Sequence, residues 1–177
     1  MAFDAKSFRL PALALLLAAL VLAAPSAAAG SRAGGFAPEW NWPADPVPQV
    51  LKTFDPPPES WLSGHRGVDL AAPGGGEVLA PEAGRVSFVG TVVDRPVITI
   101  DHGSGLRSSF EPVRSTLAKG DLVDAGDAIG TVAGARHCSP GCFHWGVRLG
   151  EDYINPLQFV VDLRPSVLLP RPAEIAP

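Results

Sequence analysis

The stretch that decides the fold is PVITIDHGSGLRSSF, from Pro96 to Phe110. On both sides of its glycine-containing centre, Val, Ile and Phe alternate with polar residues, which is the period-two pattern of a half-buried strand. Gly103, Ser104 and Gly105 supply a short connection of the kind that joins two hairpin strands. We interpret His102, at the tip of this hairpin, as a turn residue.

Short runs of the same kind recur from residue 49 to residue 163, and Gly, Pro, Asp and Asn separate them. Examples are GVDLA, GRVSFVGTVV and FHWGVRL, which are rich in the residues that favour strands. No amphipathic helix of useful length interrupts them. The sequence therefore predicts one all-β domain over residues 49–163, built as an antiparallel β-sandwich or barrel-like sandwich.

Both flanks of this domain read as irregular. Residues 30–48 are rich in Gly, Pro and Ala without a period, which predicts a linker that Trp40 and Trp42 can pin to the domain. Residues 164–177 are rich in proline and predict a tail.

The first 29 residues have the organisation of a secretory signal peptide. Lys6 and Arg9 precede an uninterrupted apolar run from Leu10 to Ala24, and small residues follow up to Ala29. The alternative, a permanent membrane anchor, needs about 20 apolar residues, more than this run supplies. We therefore expect a secreted or cell-wall-associated protein that has no membrane contact after cleavage.

Charge excludes two classes of partner. Removal of residues 1–29 leaves 148 of the 177 residues and, because it takes away Lys6, Arg9 and Asp4, changes the formal net charge from −4 to −5. An acidic chain without a run of Lys or Arg offers no electrostatic surface for nucleic acid or anionic lipid.

Three residues have the chemistry of a zinc site. His65 and Asp69 are four residues apart in HRGVD, and an extended chain would hold them about 13 Å apart, too far to share a metal. Gly64 and Gly67 are placed to allow a bend that brings them together. In FHWGVRL, strand alternation turns His144 away from a core that contains Phe143, Trp145, Val147 and Leu149. His65, Asp69 and His144 would then bind one Zn²⁺ and leave a position open for water.

The two cysteines allow three interpretations. Export and the spacing in CSPGC favour a disulfide between Cys138 and Cys142. Cys142 could instead be a thiolate ligand beside His144, which would close the zinc site. A free thiol is the third alternative.

The order of these motifs resembles the lysostaphin-type zinc endopeptidases of the LytM family. The resemblance runs through HRGVDLAAPGGGEVLAPEAGRVSFVG, VITIDHGSGLRSSFEPV, KGDLVDAGDAIGTVAG and FHWGVRLGEDYINP. It implies an antiparallel fold, a single zinc on His65, Asp69 and His144, and cleavage of peptide bonds in the peptides of bacterial peptidoglycan.

The sequence departs from the family at two catalytic positions. Where the family has a histidine two residues before the last ligand, this chain has Cys142, and where it has Tyr-x-His, this chain has Phe110 and Pro112. A proton shuttle is typically worth 10²–10⁴-fold in rate. His137 and Glu111 are the candidate substitutes, although strand alternation is expected to point Glu111 away unless Pro112 distorts the strand.

Two functions follow from this combination. The first is an exported zinc metalloendopeptidase of peptidoglycan, with Arg148 as an anchor for a substrate carboxylate. The second is a catalytically degenerate zinc-binding module that binds wall peptides or regulates a partner cell-wall hydrolase.

Overall fold

A computed structural model describes residues 37–134 and 141–165. The predicted signal peptide, His137, Cys138 and most of the predicted tail lie outside the described residues. Within the described ranges, no helix is long and apolar enough to cross a membrane.

The described residues form eleven short strands and one 3₁₀ helix. The strands are β1 (Val50–Lys52), β2 (Val68–Ala71), β3 (Glu77–Leu79), β4 (Gly84–Val92), β5 (Arg95–Gly103), β6 (Leu106–Glu111), β7 (Val113–Arg114), β8 (Leu122–Val123), β9 (Ala128–Val132), β10 (Cys142–Leu149) and β11 (Asp152–Ile154), and the 3₁₀ helix is Pro156–Phe159.

The strands form two antiparallel sheets. The main sheet has eight strands in the order β1-β2-β10-β6-β5-β4-β8, with β11 paired to β10, and the small sheet has the order β3-β9-β7. The prediction of an antiparallel all-β domain is confirmed. The strands β7 and β11 and the 3₁₀ helix were not predicted, because each is too short to show a period.

The core draws side chains from both sheets. Residues of β3, β7 and β9 join residues of β2, β5, β6 and β10 in one buried cluster, which identifies a sandwich. On β10, Phe143, Trp145 and Val147 are fully buried as predicted. Leu149 is the exception: it is half exposed, because β10 extends past the core at this end and pairs there with β11.

The segment before β1 packs on the domain from residue 37 onward. The ring of Trp40 is buried and stacks on Phe159 with ring centroids 4.1 Å apart. The main chain beside it is also engaged, since Asn41 donates to the carbonyl of Pro81. Trp40 therefore belongs to the core cluster.

The predicted hairpin joins β5 to β6, and its three turn residues have positive φ angles. The interpretation of His102 as a simple turn residue was wrong. Its Nδ1 lies 2.9 Å from the carbonyl oxygen of Ala83, its Nε2 lies 2.6 Å from the buried hydroxyl of Ser108, and its ring packs on Trp40. Both ring nitrogens are therefore engaged in holding the fold together.

Candidate metal centre

A row of polar side chains crosses three strands of the main sheet. His144 on β10 lies directly opposite Asp69 on β2 and directly opposite Glu111 on β6. Opposite residues of an antiparallel pair point to the same face. We call this face, turned away from the core, the site face. The next row toward the β5–β6 hairpin contains Gly146, Ser109 and Thr99.

The structure brings the three predicted ligands together at the start of this row. His65 Nε2 lies 3.0 Å from Asp69 Oδ1 and 3.1 Å from His144 Nδ1, and His144 Nδ1 lies 2.9 Å from the same carboxylate oxygen. Donor atoms of a tetrahedral zinc site are roughly 3.3 Å apart, given bonds of about 2.0 Å. The three atoms therefore form a triangle of the right size for one cation.

The main chain fixes the orientation of His65. Its Nδ1 donates to the carbonyl oxygen of Thr53 at 2.6 Å, and its own backbone pairs with Asp55 in an isolated β-bridge. A histidine that donates through Nδ1 presents the lone pair of Nε2, which is how an outer hydrogen bond prepares a metal ligand.

The protons and lone pairs of His65, Asp69 and His144 explain why the three side chains suit a cation. Because His65 already donates through Nδ1, its neutral ring has no proton on Nε2, which then faces an acceptor oxygen of Asp69 at 3.0 Å. The third atom, His144 Nδ1, can donate to only one of its two neighbours. A cation bound by all three atoms satisfies every lone pair at once.

Asp69 carries the negative charge that such a site needs. Burial raises the pKa of this carboxyl, but the hydrogen bond with His144 and the charge of His65 outweigh burial and lower the pKa to about 2. Asp69 is therefore an anionic oxygen donor at neutral pH, beside two imidazole nitrogens.

The two glycines near His65 have a different role from the one predicted. Neither has the positive φ that only glycine adopts easily. Instead, neither position has room for a side chain. A Cβ on Gly67 would lie 2.6 Å from His144 Nε2 and would collide with the carbonyl oxygen of Trp145. A Cβ on Gly64 would lie 2.8 Å from the carbonyl oxygen of Asp55. Glycine lets this loop lie flat against the strand that presents His144.

Cys142 does not join the triangle. Within the described ranges, the group of side chains able to hold a metal consists of His65, Asp69 and His144. Cys142 is 1% exposed and is not a free thiol, so the free-thiol alternative was wrong. Its predicted partner Cys138 lies outside the described residues, and their pairing stays a prediction.

Glu111 shares the site face with His144, so the expectation that alternation points it away was wrong. The strand ends at Glu111, and its register places this residue, rather than Pro112, opposite His144. The carboxylate accepts a hydrogen bond from Arg95 at 3.1 Å. His137, the other candidate substitute, lies outside the described residues.

Arg148 lies on the site face but is already engaged. Its Nη2 donates to Glu151 at 2.7 Å, and its guanidinium lies 5.4 Å from the ring centre of Tyr153. Arg66 approaches the same ring, at 6.0 Å. The role of Arg148 as a substrate anchor stays a prediction. In that role, a substrate carboxylate would have to replace Glu151 as the acceptor of its hydrogen bond.

Sequence reasoning missed two residues that shape the site. Thr53 acts through a main-chain carbonyl, which no side-chain pattern can reveal. Arg95 is 16 residues from its partner Glu111, and only the register of β5 on β6 brings them together. An Arg at the start of one strand and a Glu at the end of the next was the available signal.

Comparison with known proteins identifies the class. Residues 63–156 match the family described as Peptidase family M23, and this match covers more than half of the chain. The chain belongs to this family, and the matched range contains all three side chains of the triangle.

Curated relatives also match the chain. An uncharacterized protein of Mycobacterium tuberculosis is 40% identical over 122 residues, which cover 66% of this chain and 49% of the relative. The chain thus spans about half the length of the curated relatives that it matches.

Two solved structures share the fold. A zinc-containing peptidase from Vibrio cholerae has a TM-score of 0.58 at 21% identity, over 71% of this chain and 41% of that one. A chain in the SpoIIIAH and SpoIIQ complex has a TM-score of 0.59 at 20% identity, over 68% of this chain and 99% of that one.

Proposed function

We propose that this protein is an exported zinc metalloendopeptidase that hydrolyses peptide bonds of bacterial peptidoglycan. The observation that carries the proposal is the triangle of His65, Asp69 and His144, whose donor atoms lie 2.9 to 3.1 Å apart on the site face. Because the chain belongs to a peptidase family, hydrolysis of a peptide bond is the reaction that this triangle would support.

Each residue of the triangle has a distinct task in holding zinc. His65 offers Nε2 because Thr53 holds its Nδ1 proton, Asp69 offers an anionic oxygen, and His144 offers Nδ1 from β10. When bound, zinc supplies a Lewis acid that polarises a peptide carbonyl and lowers the pKa of water to about 7. Three protein ligands leave a coordination position open, which is the arrangement of catalytic rather than structural zinc.

Export and the peptidoglycan substrate rest on the sequence. The signal-peptide pattern of residues 1–29 supports export, and the resemblance to lysostaphin-type enzymes supports wall peptides as substrates. The acidic chain gives no support to nucleic acid as an alternative partner.

We also propose that Cys138 and Cys142 form a disulfide. The burial of Cys142 and the absence of free cysteines among the described residues support it. The bridge would keep sulfur off the metal. Mass spectrometry of the exported protein, with and without reduction, tests it: a two-dalton difference supports the bridge, and two alkylatable thiols contradict it.

A second candidate function is a degenerate zinc-binding module that binds wall peptides or regulates a partner hydrolase. The resemblance to lysostaphin-type enzymes favours it, because it places Cys142 and Pro112 where that family has histidines. Its fold is also shared by a chain that was crystallised in a protein complex.

One experiment separates the two functions. The full chain is purified, its zinc is measured, and peptidoglycan is digested while new amino termini are counted. If the protein is an enzyme, we expect one zinc per chain and new amino termini, and we expect the Asp69→Asn variant to lose both. Asp101→Asn is the matched control, since it makes the same change elsewhere on the main sheet. Zinc without new termini supports the degenerate module.

A further inference from the structure

We propose that Glu111, held by Arg95, is the residue that accepts and returns the proton during peptide hydrolysis. It would take the role of the two histidines that this chain lacks. The inference rests on the proposed function, and it concerns a carboxylate whose position the sequence alone misjudged.

The register of β6 on β10 places Glu111 next to the metal ligands. His144 faces Glu111, and the following pair, Trp145 and Phe110, is fully buried in the core. Because alternate residues point to opposite faces, Glu111 and His144 both point away from the core. Side chains directly opposite one another have Cβ atoms about 4.5–5.5 Å apart, which a water molecule can bridge.

Arg95 holds the carboxylate by one oxygen. Its Nη1 donates to Glu111 Oε1 at 3.1 Å, and the side chain of Glu111 is 25% exposed. Within the described ranges, no group donates to the other oxygen, Oε2. One oxygen is therefore anchored while the second can accept a proton from water on the site face.

The other described histidine outside the triangle cannot serve this purpose. Both nitrogens of His102 are used in hydrogen bonds, to Ala83 and Ser108, and its ring packs on Trp40 at the far end of β5. The remaining competitor is His137, which the experiment tests directly.

The proposed step balances with one carboxylate. The oxygen of a water molecule forms a bond to the peptide carbonyl carbon, and one water proton passes to Glu111. The C–N bond then breaks, and Glu111 gives the proton to the leaving nitrogen, so that it ends in its starting state. Arg95 is a positioning residue, because it acts through Glu111 and does not contact the substrate.

The test uses the zinc-loaded full chain and two readouts. The first is the affinity for acetohydroxamic acid, measured by calorimetry, because a hydroxamate binds zinc and gives its hydroxyl proton to a neighbouring carboxylate. The second is kcat and KM on peptidoglycan peptides. The variants are Glu111→Gln, Glu111→Asp, Arg95→Gln and His137→Ala, with Glu77→Gln on β3 as the matched charge control.

We expect Glu111→Gln to retain one zinc, to bind acetohydroxamic acid about tenfold or more weakly, and to lose about 10²–10⁴-fold in kcat with little change in KM. Arg95→Gln should lose less hydroxamate affinity and less kcat than Glu111→Gln does. Glu111→Asp should recover part of the hydroxamate affinity that Glu111→Gln loses. Glu77→Gln should match wild type.

Equal hydroxamate affinity and kcat in wild type and Glu111→Gln would overturn the inference, and a large loss in His137→Ala alone would assign the role to His137. A zinc-loaded wild type that cleaves nothing would contradict the proposed function. In that case the hydroxamate affinities alone decide whether Glu111 faces the metal.

Discussion

The Nδ1 atom of His65 donates to the main-chain carbonyl of Thr53 at 2.6 Å, so its other nitrogen faces Asp69 and His144. This bond ties the candidate metal centre to the backbone just after β1. Because this hydrogen bond already orders the imidazole, the ring loses little rotational entropy when a cation binds.

The fit between Gly67 and His144 gives the first prediction. Gly67→Ala should displace the ring of His144, because the new Cβ would lie within 2.7 Å of two ring atoms. We expect zinc affinity to fall at least tenfold, measured by competition with a chromogenic chelator. Gly74→Ala is the control, since its Cβ meets only an ordinary contact at 3.8 Å. Equal affinities in the two variants would refute the steric account.

Binding of zinc should stabilise the fold. A ligand that binds only the folded state at 100 times its Kd adds about 2.7 kcal/mol to the free energy of unfolding. We expect Tm to rise on addition of zinc, to fall on addition of EDTA, and to be unaffected by zinc in Asp69→Asn. Scanning calorimetry checks this, and a zinc-dependent Tm in Asp69→Asn would show that the metal binds elsewhere.

His102 should make the fold sensitive to mild acid. Burial lowers the pKa of His102, against the opposing hydrogen bond with Ala83 and the charges of Glu82 and Asp101. In the unfolded chain, His102 binds a proton near pH 6.5, whereas in the folded chain it does so only at lower pH. The free energy of unfolding therefore keeps its full value above pH 6.5 and falls as the pH drops below it.

The measurement is urea unfolding of the metal-free chain at pH 7.5 and pH 5.5. Wild type should lose more stability between the two pH values than His102→Gln does. Identical losses would mean that His102 does not contribute to the acid sensitivity.

Trp40 should be part of the folding unit, although the predicted domain begins at residue 49. Trp40→Ala removes a ring that is only 7% exposed and stacks on Phe159, and such truncations cost about 3–5 kcal/mol. Trp61→Ala is the matched control, because that ring is 77% exposed and should cost less than about 0.5 kcal/mol. Chemical denaturation measures both, and a cost below 1 kcal/mol for Trp40→Ala would contradict its place in the core.

The sequence was sufficient for the features that have a local pattern. Alternation predicted the strand that carries His144, and glycine marked the turn between β5 and β6. The convergence of His65, Asp69 and His144 was predicted from residue type and family resemblance, and the structure shows their donor atoms together.

Features that depend on register could not be predicted in this way. The direction of Glu111 was misjudged because alternation was counted from Pro112, whereas the strand ends one residue earlier. The role of His102 was missed because its partners, Ala83 and Ser108, reach it only through strand pairing. In each case a long-range pairing decided the environment of the side chain.

X-ray absorption at the zinc edge of the loaded, purified protein tests most directly whether His65, Asp69 and His144 bind the cation. We expect one zinc per chain, bound only by nitrogen and oxygen at about 2.0–2.2 Å, with two imidazoles in the coordination shell. A sulfur ligand at about 2.3 Å, or a chain that binds no zinc, would contradict it.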